Sequence, residues 1–304
     1  MGSSAARTLR ERLAQVPEQG PLLAPGAYDA FSARLVAEAG FEAVYLTGFG
    51  AAASLLGQPD VGLLTGTEMA DQARRMTAAA PLPVLADADT GYGNAINVER
   101  TVADHERAGV AALQLEDQVS PKRCGHMSGK DVVPAEEMAG KLRAAVAARR
   151  DPDLVIIART DAAAVEDLDA VLSRARAYRA AGADALFVEA LTSERDIARV
   201  AGELAGEVPL VFNWVEGGRT PPIDLPRITE LGFAVVLYPI GALLAATAGV
   251  RSHLAELKRA GTPTAALPGL PGFDDVTALL GLPELRAREQ GYADPFDIDG
   301  PRTG

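Results

Sequence analysis

The chain has one cysteine and three histidines in 304 residues. A single thiol cannot close an internal disulfide, so nothing in the sequence asks for an oxidising compartment. Cations are in deficit: 29 Lys and Arg against 41 Asp and Glu leave a net charge of −12. That balance argues against nonspecific nucleic-acid binding and against anionic membranes. There is no run of about 18 apolar residues of the kind a membrane helix needs. The opening MGSSAARTLRERLAQ has no apolar signal-peptide core, so the expected location is the cytoplasm. Low-complexity tracts are absent, and no linker is evident before residue 261. What remains, 48% hydrophobic and 23% charged, is the composition of a globular protein able to bury a substantial core as one large domain or two ordinary ones.

What is present is a recurrence: a short apolar run, a polar tip, then a helix-like segment. The eight runs are PLLAPGAYD (21–29), AVYLTG (43–48), VLADAD (84–89), AALQLED (111–117), VIIART (155–160), ALFVEA (185–190), LVFNW (210–214) and AVVLYP (234–239). Between them, stretches such as FSARLVAEAG, VERTVADHERAG and LDAVLSRARAYRAAG return their apolar residues at the helical period. Gly40, Gly109, Gly182 and Gly232 stand where four of these helices should end, a position that favours left-handed backbone. Apolar strands alternating with helices belong to a parallel sheet covered on both faces.

Eight such units imply a closed (β/α)8 TIM barrel. The competing arrangement is an open doubly wound sheet, but the first turn reads PGAYDAFS and is not GxGxxG. The expected division is a catalytic barrel over 1–262, with a short N-terminal helix at 6–15, and a C-terminal helical extension and tail over 263–304.

In such a barrel the active site lies at the C-terminal ends of the strands. Those ends carry Tyr45 and Thr47, Asp87 and Asp89, Glu116 and Asp117, Arg159 and Asp161, Glu189, Asn213 and Tyr238. ADADTGYGN places Asp87 and Asp89 on one side of a strand end, and Glu116 and Asp60 could join them around a hard cation. Carboxylates without a thiolate cluster suit Mg²⁺, or Mn²⁺, better than zinc. The same acids could instead cap helices and bind loop amides. Arg159 could hold a small oxyanion or pair across the rim with Asp161 or Glu189. The lone Cys124 sits in EDQVSPKRCGHMSGK (116–130), where Lys122, Arg123 and His126 would favour a thiolate, and Gly125 and Gly129 give the backbone freedom. An inert cysteine and a hydrogen-bonded structural histidine are the alternatives.

The motifs PGAYDAFSA, YLTGFG, GQPDVGLLT, DADTGYGN, LEDQVSPKRCGH, IIARTDA, FVEA, NWVEGGRTP and LYP, over roughly residues 20 to 262, resemble the isocitrate lyase/phosphoenolpyruvate mutase superfamily. The KRCGH loop resembles its carbon–carbon lyase branch, whose members cleave isocitrate, 2-methylisocitrate and 2,3-dimethylmalate. The resemblance implies that Asp87 binds Mg²⁺ while Asp89, Glu116 and Asp60 hold its waters. It implies that Thr47, Gly48 and Phe49 bind a keto-acid carboxylate with Arg159 at the same end. Tyr45 and Glu189 would handle the substrate hydroxyl proton. Cys124 would protonate the departing fragment with His126 and Lys122 in support, and Asn213 and Tyr238 would line the pocket. NWVEGGRTP favours a dicarboxylate such as 2,3-dimethylmalate over 2-methylisocitrate. Carboxyphosphonoenolpyruvate phosphonomutase, oxaloacetate decarboxylase or hydrolase, and a silent binding barrel are the rival readings. The family pattern further implies a homotetramer in which a helix from 273–293 is exchanged between neighbours, although Pro283 interrupts that segment.

Overall fold

The computed structural model describes residues 4–125 and 129–293. Eight parallel strands close into a barrel in sequence order. They are β1 (Leu22–Ala27), β2 (Val44–Leu46), β3 (Val84–Asp87), β4 (Ala112–Glu116), β5 (Val155–Thr160), β6 (Ala185–Val188), β7 (Leu210–Asn213) and β8 (Val235–Tyr238). β8 pairs with β1 through Leu22↔Val235 and Pro25↔Tyr238, so no edge is left open. Helices cover the outside, with two of them, Gly48–Leu56 and Gly66–Ala79, between β2 and β3. The expected glycines do end their helices: φ is +82° at Gly40, +85° at Gly109, +104° at Gly182 and +82° at Gly232.

Because successive strand side chains alternate, each strand feeds two separate cores. Leu22, Ala24, Tyr45, Leu85, Ala112, Val155, Ile157, Phe187, Val211 and Leu237 pack inside the barrel. Their neighbours, among them Val44, Leu46, Ala86, Leu113, Leu115, Ile156, Leu186, Phe212 and Val236, pack outward under the helices. The interior is a filled core with several alanines, not a pore.

The helix Ala5–Ala14 starts at Ser4, whose hydroxyl accepts from the Arg7 amide. Its Leu9 is 1% exposed and belongs to the inner core, so this helix closes the end of the barrel opposite the strand tips. Leu9→Ala should cost about 2–5 kcal/mol in chemical denaturation while leaving the rim chemistry of the folded fraction intact. A loss below about 0.5 kcal/mol would show that the plug is dispensable.

The chain divides into two compact units, Met1–Thr247 and Ala248–Gly304. The boundary between these units falls inside the helix Gly241–Ala260, and that 20-residue helix buries none of its residues. In the second unit the helices Phe273–Leu279 and Leu282–Ala293 are separated at Gly281, with φ +82°. Pro283 lies in the first turn of the later helix, where its missing N–H costs nothing, so glycine makes the break. No helix among the described residues is long and apolar enough to cross a membrane.

Candidate active site

Alternation decides which strand-end side chains meet. Tyr45, Asp87, Glu116 and Arg159 continue the inward rows of β2 to β5, and Glu189 and Asn213 continue those of β6 and β7. Tyr45, Asp87, Arg159, Glu189 and Asn213 line a cavity of about 210 Å³ at the barrel mouth. Thr47 and Phe49 add to it from the start of the helix after β2, and loops add Asp60 before the next helix and Lys122, Cys124 and Gly125 after β4. Gly48, Asp89 and Glu116 are buried in contact with that lining rather than part of it: the Gly48 amide donates to Asp87 Oδ2 at 3.3 Å, Asp89 meets Lys122, and Glu116 meets Arg159. A Cβ on Gly48 would come within 2.6 Å of Asp87 Oδ2, so glycine is required there for close approach. His126 lies outside the described residues.

Two expected rim residues face the other way. Tyr238 is on the outward row of β8 and stacks obliquely on Trp214, with ring centroids 6.0 Å apart; Pro239 and Ile240 line the cavity in its place. Asp117 is also outward. It accepts from Thr160 Oγ1 (2.7 Å), Tyr178 Oη (2.8 Å) and the Asp161 amide (2.9 Å), a structural node beneath the helices.

The inward groups form a connected polar set. Tyr45 Oη donates to Gln114 Oε1 at 3.1 Å, and Gln114 Nε2 donates to Asp87 Oδ1 at 3.3 Å. Burial, reinforced by Asp87, raises the Tyr45 phenol well above its ordinary value, so it stays protonated. Arg159 Nε is 2.8 Å from Asp161 Oδ2 and 3.3 Å from Glu116 Oε2, and its guanidinium lies 5.0 Å over the Phe187 ring. Glu189 accepts from the Ala190 amide at 2.8 Å and from Asn213 Nδ2 at 2.7 Å. Ala190 and Asp89 hold left-handed φ values of +65° and +47°, so the chain is strained beside two rim acids.

Charge at this mouth does not balance. Among the described residues, six buried carboxylates (Asp60, Asp87, Asp89, Glu116, Asp161, Glu189) face three buried cations (Lys122, Lys130, Arg159). Lys122 Nζ bridges Asp60 at 2.7 Å and Asp89 at 2.8 Å, and its charge is held in place by these acids although burial opposes it. Even so, burial pushes Asp89 up to about 7 against the pull of Lys122, and raises Glu116 well above the carboxylate range despite Arg159. Glu116 Oε1 is buried with no hydrogen-bond partner. Among the described residues no three or more acids, histidines or cysteines converge as a complete metal cage. An oxygen-only donor set with surplus negative charge and an unpartnered carboxylate oxygen fits a hard divalent cation that keeps several waters.

Sequence reasoning missed Gln114, Lys130 and Lys141. Gln114 was accessible, since it lies between Ala112 and Glu116 on one inward row. Lys141, from the helix Ala135–Ala148, donates to the Thr90 carbonyl at 3.1 Å beneath the Asp87–Thr90 turn. No local pattern marks that reach.

A family model described as phosphoenolpyruvate phosphomutase matches residues 11–258. The chain is 46% identical over 272 residues to a 2,3-dimethylmalate lyase of Eubacterium barkeri, covering 90% of this chain and 93% of that one. It is 48% identical over 238 residues to a probable 2-methylisocitrate lyase of Corynebacterium glutamicum, covering 78% and 77%. Among solved structures, a 2,3-dimethylmalate lyase crystal structure matches with a TM-score of 0.89 at 40% identity, over 98% of this chain and 99% of the other.

Proposed function

The chain belongs to the phosphoenolpyruvate mutase/isocitrate lyase superfamily, and from that footing we propose that it is a Mg²⁺-dependent carbon–carbon lyase. Its substrate in this reading is an alkylated 2-hydroxy dicarboxylate of the 2,3-dimethylmalate type, with 2-methylisocitrate as the second choice. The observation that carries the reading is one cavity in which the thiol of Cys124, from the loop after β4, joins Asp87, Glu189, Arg159 and Tyr45 from the inward rows of the strands.

Arg159 and the N-terminal end of the helix Gly48–Leu56, at Thr47–Phe49, receive the carboxylate beside the hydroxyl-bearing carbon. Tyr45 stays protonated and orients the hydroxyl, while Glu189, held by Asn213 and the Ala190 amide, takes its proton. The C2–C3 bond breaks, C2 becomes the keto carbon, and the electron pair passes to the fragment bearing the second carboxylate. Cys124 gives that carbon its proton, and solvent exchange returns a proton from Glu189 to the thiolate. Mg²⁺ (or Mn²⁺), with Asp87 as its ligand and Asp89, Glu116 and Asp60 around its waters, would supply Lewis-acid stabilisation of the new keto acid. Phe49, Val215 and Ile240 give the cavity an apolar side for the alkyl groups.

The test is Mg²⁺-dependent keto-acid release from 2,3-dimethylmalate, 2-methylisocitrate, isocitrate and oxaloacetate. The expected result is pyruvate from an alkylated hydroxy acid; release confined to oxaloacetate, or none, would contradict it. We also propose a homotetramer. The reading is supported by exposed apolar side chains of the second unit: Val250, Leu254 and Phe273 are 57%, 54% and 84% exposed. Sedimentation should give a tetramer at micromolar concentration, and a monomer there would refute this.

A further inference from the structure

The loop after β4 is pinned at its base: Gln118 bridges Val132, and the Val119 amide donates to the Asp131 carbonyl at 2.9 Å. Farther out, the peptide carrying Cys124 is held on several sides. Gln118 donates to the Arg123 carbonyl at 2.8 Å and accepts from the Arg123 amide at 2.9 Å. The Cys124 amide donates to the Asp60 carbonyl at 3.2 Å. Gly125 lies hard against the catalytic rim, since a Cβ there would stand 2.5 Å from Arg159 Nη2 and 3.0 Å from Glu189 Cγ.

A further tie is a buried lysine. Lys130 Nζ donates to the Gly125 carbonyl and sits 2.8 Å from Asp161 Oδ1. The two side chains are 3% and 0% exposed, and Asp161 is itself fixed by both nitrogens of its contact with Arg159. We propose that Lys130 is a positioning residue for Cys124, its ammonium joining the loop carbonyl next to the thiol to the rigid end of β5. A buried ion pair is a poor way to gain stability, because desolvation offsets its attraction. Its use here is geometric: a single cation reaches both a loop carbonyl and a carboxylate fixed by the barrel. A proton donor misplaced by about 1 Å loses on the order of 10²-fold in rate.

The role assigned to Cys124 rests on the lyase reading, but its placement can be read without turnover. The chain holds one cysteine, so iodoacetamide labelling reports on that thiol alone. In Lys130→Met, with fold checked by circular dichroism, labelling should accelerate at least about tenfold, kcat should fall about 10²-fold, and KM should change less than about threefold. Lys130→Arg should recover at least about tenfold of the lost kcat, because a guanidinium can still bridge carbonyl and carboxylate. If the Met variant does not fold, Lys130→Gln, which keeps a donor without the charge, takes its place with the same expected shifts. Wild-type labelling and kcat in the folded variant would overturn the proposal, as would a kcat loss with unchanged labelling. Faster labelling in a chain that cleaves no hydroxy acid would refute the lyase reading and leave the positioning role standing.

Discussion

Cys124→Ser should lower kcat for pyruvate release by about 10³-fold or more, with the fold and Mg²⁺ binding unchanged. The reason is acidity. A thiol with an ordinary value near 8.5 can give up a proton at neutral pH, whereas an alcohol of the same shape cannot. Cys124 lines the cavity beside Asp60, Gly125 and Arg159, and its amide is tied to the Asp60 carbonyl, so serine should occupy the same place without the same chemistry. Coupling pyruvate to a dehydrogenase measures the rate directly. A serine variant within about tenfold of wild type would remove Cys124 from the role of acid.

Arg159→Met should be the most damaging substitution for both folding and activity. The guanidinium lies between Asp161, Glu116 and Glu189 at 2.8, 3.3 and 3.9 Å, and is 7% exposed. Removing it strands buried carboxylates, which typically costs about 3–5 kcal/mol, and in the proposed reaction deletes the partner of the substrate's carboxylate. Urea denaturation reads the first effect and steady-state kinetics the second. Burial alone would raise Asp161, but Arg159 and Lys130 hold it down at about 2. The stability this contributes is therefore fully present above the ordinary aspartate value of 3.8 and is lost as pH falls through about 2. In Arg159→Met that loss should move to higher pH. An unchanged acid limb and unchanged midpoint would show that the arginine is not the rim's main counter-charge.

Much of this was legible in the chain because barrel strands advertise themselves twice, as apolar runs and as polar tips. All eight runs became strands, and the glycines after four helices took the left-handed backbone expected of them. The error at the tips came from treating them as points rather than as alternating rows. Along AALQLED, Ala112, Gln114 and Glu116 share one face while Leu113, Leu115 and Asp117 share the other, so Asp117 belongs with Tyr178 and not with the acids at the barrel mouth. The same parity sends Tyr238 to Trp214. The ties of Lys130 to Asp161 and of Lys141 to Thr90 join segments 31 and 51 residues apart, and no local periodicity records them. Nor does composition reveal that Asp89 and Ala190 sit in left-handed backbone; tertiary packing imposes it.

The most direct measurement is the product spectrum from 2,3-dimethylmalate incubated with the protein and Mg²⁺ in D₂O, followed by NMR. The account requires pyruvate and propionate in equal amounts, the propionate carrying one deuterium at C2 where the Cys124 proton is delivered. Unchanged substrate under conditions that yield oxalate and acetate from oxaloacetate, or a phosphonate product from a phosphorylated enol acid, would contradict it.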